Sequence, residues 1–324
     1  MKLHVLECPH CGAPLPRRAA LVRLNCPYCK SEVVVDRYSV KAAEYRDRLD
    51  EYLSENTDQV WRFEQWPIRV LSKVAAGHST DVYLARRATR ITECLIAKVL
   101  RLAEDEPLLQ NEERVLSDLA TSTAKGAPYF TTLLPQRVTR GHVFGPANDT
   151  LALVYREATG FRHTLADIAA AYGNALDPRH AVWIGRRTLE LLDFVHRCGY
   201  VHASVVPAHI LIDVRQHGAR LVGYSSAARP GTRAVRVDAE YSAIYPGEML
   251  GPRGVRAQDD IAMLARCLGL AIRGHPEKPA ALLRCLSELS DCAASIDAWQ
   301  AQRKIADAAR ASFGPGRFIE LDVP

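Results

Sequence analysis

The chain has 324 residues, which at about 150 residues per domain suggests two domains. A composition of 48% hydrophobic and 24% charged residues belongs to globular proteins and excludes a disordered chain. Forty-two Lys and Arg against 37 Asp and Glu give a net charge of +5, too slight for a dedicated nucleic-acid binder, and no apolar run approaches the ~20 residues of a membrane helix. Residues 1–7 lack the apolar stretch of a signal peptide. Nine cysteines, four of them in two tight pairs, predict metal binding in a reducing cytoplasm instead of a disulfide framework.

The pairs open the chain. Cys8-Pro9-His10-Cys11 is separated by fourteen residues from Cys26-Pro27-Tyr28-Cys29. Two intervening residues let a tight turn aim both sulfurs at one ion, and two such turns supply the tetrahedral thiolate set of a closed structural Zn²⁺ site. Cys8, Cys11, Cys26 and Cys29 are therefore the expected zinc ligands, with His10 a solvated turn residue. The pattern resembles a zinc ribbon over residues 1–36, a length too short to bury a core without a metal. Val33 to Val35 are expected as the strand leaving the second turn. Residues 37–66 carry Tyr38, Tyr45, Leu49 and Leu53 at helical spacing amid charge, which predicts an amphipathic linker helix. Trp61, Phe63 and Trp66-Pro67 mark the entry to the second domain.

From there the pattern predicts short strands at 68–71, 82–85 and 95–100 and a helix over 108–120. Strands follow near 131–134 and 151–155, then helices near 180–197, 258–273, 279–290 and 295–311. A β-rich part followed by an α-rich part is an α+β arrangement with a cleft between, here a small lobe over about 67–157 and a large lobe over about 158–324.

Several segments of this region resemble the protein kinases. Ala97-Lys98 looks like the strand lysine that grips nucleotide phosphates, and Asn111-Glu112-Glu113 like the helix whose glutamate pairs with it. Tyr200-Val201-His202-Ala203-Ser204, continuing to Ile212, has the frame of a catalytic loop, and Leu221-Val222-Gly223-Tyr224-Ser225 that of the metal-binding segment. Pro246-Gly247-Glu248 and Asp260-Ile261 match later anchors. The resemblance runs from about 68 to 275 in the family's order and implies a two-lobed kinase-like fold. It assigns any nucleotide contacts to Gly77, Val82, Lys98, Glu112 and Leu211, an interlobe apolar column to Leu116, His202 and Tyr224, and a buried carboxylate under the catalytic loop to Asp260.

The departures fall on the chemistry. Ser204 stands where kinases carry the catalytic-loop aspartate, His209 where they carry a metal-binding asparagine, and Gly223 where they carry the second metal ligand. Mg²⁺ requires hard oxygen ligands, which glycine and imidazole do not supply. The phosphate loop keeps one glycine, Gly77, and Ile96 crowds the adenine position. Weak binding of ATP with Mg²⁺, or none, is thus expected, and the resemblance is to bacterial zinc-ribbon proteins with a pseudokinase domain. Such a cytoplasmic protein, with no membrane contact, implies a protein-binding scaffold or allosteric partner. An atypical nucleotide-dependent transferase reusing Lys98 and Glu112, with Asp81, Asp213 or Asp238 replacing a carboxylate, is the alternative. Nucleic-acid binding by the ribbon through Arg17, Arg18, Arg23 and Lys30 is a third reading. Cys94, Cys198, Cys267, Cys285 and Cys292 show no ligand spacing and are expected as small apolar residues.

Overall fold

Arg23–Asn25 (β1) and Glu32–Val34 (β2) form an antiparallel pair in which Leu24 faces Val33, so the strand expected at 33–35 is a hairpin arm beginning one residue earlier. The computed structural model describes residues 8, 11, 13, 23–34, 60–63, 66–88, 90–144, 149–234, 236–291 and 295–323. The chain divides into two units, Met1–Asp58 and Gln59–Pro324. In the first, the described buried side chains are Cys8, Cys26 and Val33, a core made largely of sulfur. The linker helix expected over 37–66 lies outside the described residues as far as 59. Its last part is instead a strand, Val60–Phe63 (β3). The reason is a period of two: Phe63 is buried while Arg62 is exposed, and the segment pairs on both sides.

The second unit begins with a closed barrel. Trp66–Ala76 (β4), Thr80–Arg87 (β5) and Arg90–Leu100 (β6) form a meander, and after the helix Glu106–Ala120 (α1) come Arg137–Phe144 (β7) and Asp149–Arg156 (β8). The strand order is β3-β4-β5-β6-β8-β7, with β3 returning to β7, so the short first strand closes the sheet. Closure removes the edges that an open sheet would expose. Phe63, Ile68, Leu95, Ala97, Val143, Ala152 and Val154 alternate inward as the barrel core. The opposite faces of β6 and β8 contribute Leu100, Leu153 and Tyr155 to a second, larger core with the helices. Two buried faces explain why these two strands are nearly continuous apolar runs.

The strand expected near 131–134 is not one. Ala127–Phe130 (α2) runs into a 3-10 turn at Thr131–Leu133, and β7 starts only at Arg137. Thr131 Oγ1 donates to the Ala127 carbonyl at 2.7 Å and Thr132 Oγ1 to that of Tyr129 at 2.6 Å. These local side-chain bonds hold the turn against the strand propensity of threonine.

The rest is mostly helical: Leu165–Ala171 (α3), Pro178–Arg197 (α4), Ala257–Ala271 (α5), Ala280–Ser290 (α6) and Ala298–Phe313 (α7). Asp177 caps α4 ahead of Pro178, and Asp297 with Gln300 forms a capping box on α7. A small sheet ordered β11-β10-β9 lies among them, built from His163–Thr164 (β9), Ile210–Asp213 (β10) and Gly218–Leu221 (β11). Its β10 follows His209 directly and its β11 ends two residues before Gly223, so the hairpin brings these two positions together. No helix among the described residues is long and apolar enough to cross a membrane.

Candidate functional site

The first candidate site is the cysteine cluster. The sulfurs of Cys8 and Cys29 lie 3.6 Å apart, those of Cys11 and Cys26 3.7 Å, and all four lie within 4.8 Å of one another. Tetrahedral Zn–S bonds of about 2.3 Å place sulfurs about 3.8 Å apart, so the set fits a tetrahedral metal. The backbone shapes it: the Cys8 and Cys26 amides donate to the carbonyls of Ala13 and Ser31 at 2.8 and 2.9 Å. Lys30 takes a positive φ of 62° just after the last ligand, and its ammonium folds back onto the Pro27 carbonyl at 2.8 Å. The Ser31 hydroxyl, 2.8 Å from Cys29 Sγ, lowers the Cys29 pKa, and the Ser31 amide adds to this. Cys11 is raised to about 12: the Ala13 amide opposes the rise, while desolvation and the sulfurs of Cys29, Cys26 and Cys8 drive it. Four crowded thiols cannot all ionise without a cation, and a divalent ion removes that conflict. Of the basic residues expected around this cluster, Arg17 and Arg18 lie outside the described residues. This is the one group of metal-type side chains so gathered among the described residues, and Cys94, Cys198, Cys267 and Cys285 stand as free thiols outside it. Cys292 lies outside the described residues.

The second lies between the barrel and the helices. Lys98 sits on β6 opposite Val82 of β5 and Leu153 of β8. Its ammonium donates to Glu112 Oε2 on α1. Glu112 is buried, and its second oxygen accepts from the Tyr155 hydroxyl at 2.8 Å. Desolvation, then the Glu112 charge, pushes the Tyr155 pKa well up, so the phenol stays a donor. Asn111 Nδ2 donates to the carbonyls of Ser225 and Ala227 at 2.9 Å each, fastening α1 to the segment after Gly223.

Asp260, fully buried on α5, accepts the amides of His202 and Ala203 at 2.8 Å each, and His196 Nε2 stands 2.8 Å from it. Ala203 has φ +57°, a conformation an alanine adopts only when its surroundings impose it, and these bonds do so. His202 is fully buried and donates through Nε2 to the Val222 carbonyl at 3.1 Å, with its ring edge-on to Tyr224 at 4.6 Å. Burial lowers its pKa to about 4, so it is neutral. Leu116 and Tyr224 belong to the same apolar cluster.

Ser204 Oγ stands 3.0 Å from the Tyr245 hydroxyl and 3.3 Å from His209 Nδ1. His209 Nδ1 donates to the Ser204 carbonyl at 2.8 Å, which leaves Nε2 unprotonated. Burial lowers the His209 pKa; the Ser204 carbonyl opposes this and Lys98 adds to it. Gly223 has φ +80°, and a β-carbon there would stand 2.6 Å from both Cε1 and Nε2 of His209. The imidazole therefore fills the room in which a side chain at 223 would begin.

The hairpin around Gly77 spends its polar groups on itself. The Gly77 amide donates to the Thr80 carbonyl at 2.8 Å, and Arg101 donates from its amide to Ser79 O and from its guanidinium to Gly77 O, both at 2.8 Å. Asp81 pairs with Lys73 at 2.8 Å. A segment from the far side then reaches the hairpin: Arg236 donates to Ser79 Oγ and to Asp105 at 2.9 Å, and His78 stands 3.8 Å from Asp238. Val82, Ile96 and Leu211 are partly buried, and Ile96 shares the Lys98 side of β6 and packs against the helical core. Of the three alternative carboxylates, Asp81 is held in the hairpin, Asp213 accepts the amides of Arg215 and Gln216, and Asp238 alone borders the seam. Glu248 is largely exposed; the buried partner of Arg253 is Asp259, at 2.6 Å.

Sequence reasoning missed Tyr155, Tyr245 and Arg236. A tyrosine in the apolar run of β8 is a signal in itself, since a buried phenol needs a partner. Nothing local points to Arg236, whose contact with Ser79 spans 157 residues.

No protein-family profile and no curated protein matches the chain. Among solved structures it is similar to the crystal structure of the BubR1 kinase domain, with a TM-score of 0.56 and 12% identity over 83% of this chain and 95% of that one. At that identity the likeness is one of fold: a mixed strand and helix architecture with a protein kinase domain as its neighbour; the chain also carries a four-cysteine cluster that could hold a metal.

Proposed function

We propose that this chain is a pseudokinase: a two-lobed kinase-like domain that binds protein partners without transferring phosphate, carrying a zinc ribbon as a structural module. The observation that carries the reading is the His209 ring lodged against Gly223, where a β-carbon would lie 2.6 Å from it. A carboxylate for Mg²⁺ has no room there, and Ser204 offers a hydroxyl hydrogen-bonded to Tyr245 instead of a base. Lys98 and Glu112, in contrast, are assembled, with Asp260 bracing the loop, so the architecture is kept while the metal chemistry is not. Zinc is the metal favoured by four thiolates in tetrahedral spacing.

A second reading, transfer of a nucleotide group in an altered pose, draws on the intact Lys98–Glu112 pair and on Asp238 at the seam. One experiment separates the two. The purified full-length chain is incubated with ATP and Mg²⁺ or Mn²⁺, with thermal shift, intact mass and metal content measured on the same sample. The pseudokinase reading expects one zinc per chain, no nucleotide-dependent shift and no added mass. Phosphate transfer abolished by Lys98→Ala would overturn it, and an added adenylyl mass would establish the second reading.

A further inference from the structure

The strands of the barrel bring a group of arginines to one rim. In the antiparallel order β5-β6-β8-β7, the end of β5, the start of β6, the end of β8 and the start of β7 come together. Those positions hold Arg87, Glu93, Arg156 and Arg137, with Gln136 and Val138, and they line a cavity of about 370 Å³. The hairpin of Gly77 lies at the other end of β5, and none of the residues that line the cavity belongs to the site above, although Arg137 stands opposite Tyr155 in the sheet.

Three arginines and one glutamate thus line it, and a second carboxylate, Glu113, reaches Arg137 from α1. Arg87 Nε lies 2.8 Å from Glu93 Oε2, yet the two are misaligned, and each remains a buried atom without a hydrogen bond. The Arg87 guanidinium is held over the Trp66 ring at 4.0 Å, which fixes its plane. Arg137 is tied to Glu113 of α1. Arg156 is exposed and makes no ion pair among the described residues, while its amide donates to the Gln136 carbonyl at 2.8 Å and fixes the rim.

We propose that this rim is a binding site for a phosphoryl group carried on a small ligand or on a peptide side chain. A phosphomonoester bears nearly two negative charges at neutral pH, which complements the positive charge that Arg156 adds to the paired Arg87 and Arg137, and the planar guanidinium forks match its oxygens. The volume exceeds what a bare ion fills and falls in the range of small-ligand sites, roughly 300–1,000 Å³. Val138 is the sole apolar residue in the lining, so polar contacts dominate. Glu93 accepts from a hydroxyl or amide beside the phosphoryl group and disfavours a continuous polyanion.

The test titrates the full chain calorimetrically with inorganic phosphate, N-acetyl-phosphoserine amide and glucose 6-phosphate, at two salt concentrations. The expected result is that one of the two esters binds more tightly than inorganic phosphate, and that Arg156→Gln weakens it about tenfold or more without moving the melting temperature. Preference for the phosphoserine probe identifies a peptide source, and preference for the sugar phosphate a metabolite. The proposal is overturned if neither ester exceeds inorganic phosphate, or if Arg156→Gln leaves the affinity unchanged. Arg156→Lys is expected to recover only part of it, because an ammonium lacks the fork.

Discussion

Gly223 and His209 are one feature, not two. The glycine takes φ +80°, and the imidazole stands where its side chain would begin, held by the Nδ1 bond to the Ser204 carbonyl. Either change explains the other: the ring fits because 223 has no β-carbon, and a β-carbon at 223 has no space because of the ring. Gly223→Ala is expected to destabilise the fold by roughly 2–4 kcal/mol in equilibrium urea unfolding, the left-handed backbone contributing roughly 1–2 and overpacking the remainder. In a His209→Ala background the same substitution should cost only the backbone part. An equal loss in both backgrounds would show that the ring does not set the constraint. A metal ligand at 223 is therefore unreachable by a single substitution.

At the scale of elements, the segment carrying Arg236 and Asp238 reaches the hairpin between β4 and β5. Arg236 bridges Ser79 and Asp105, and Asp238 faces His78 while its oxygen caps the Glu240 amide at 3.1 Å. The hairpin's own amide at Gly77 is occupied by Thr80, so a phosphate approaching from the seam would meet a tip already engaged on two sides. Arg236→Ala is expected to quicken amide hydrogen exchange together in residues 76–80 and 236–245. Global stability should change by less than about 1 kcal/mol, since Arg236 is one-third exposed and its ion pair is solvent-screened. Faster exchange in only one of the two segments would mean that they are not coupled through this side chain. The barrel follows the same principle of distant closure: β3 supplies the strand that β7 lacks on its free side.

The molecule as a whole buries several neutral histidines, and that sets its response to acid. Burial lowers both His202 and His180 to about 4, and His180 Nδ1 accepts the Trp183 indole N–H at 3.1 Å, a bond that protonation removes. The unfolded chain takes up these protons near pH ~6.5 and the folded chain only near 4, so their stabilisation is complete above ~6.5 and fades as the pH falls toward 4. Urea midpoints measured between pH 7 and 4 should decline accordingly, on the order of 3 kcal/mol per histidine. His180→Gln should flatten the decline, and an unaltered slope would assign the acid sensitivity to other groups. What could be read without coordinates is whatever local spacing encodes: the two cysteine pairs, the apolar periodicity of α1 and α4 to α7, and the residue types at 98, 112, 204, 209 and 223. These depend on neighbours within a few turns of chain, where backbone geometry and side-chain chemistry leave little choice. The barrel closed by β3, the 3-10 turn in place of a strand at 131–134, the Tyr155 bond to Glu112, the reach of Arg236 to Ser79 and the arginine rim all join segments far apart in the chain. Such contacts depend on how whole strands and helices stack, and no single stretch of residues carries the energy that selects them.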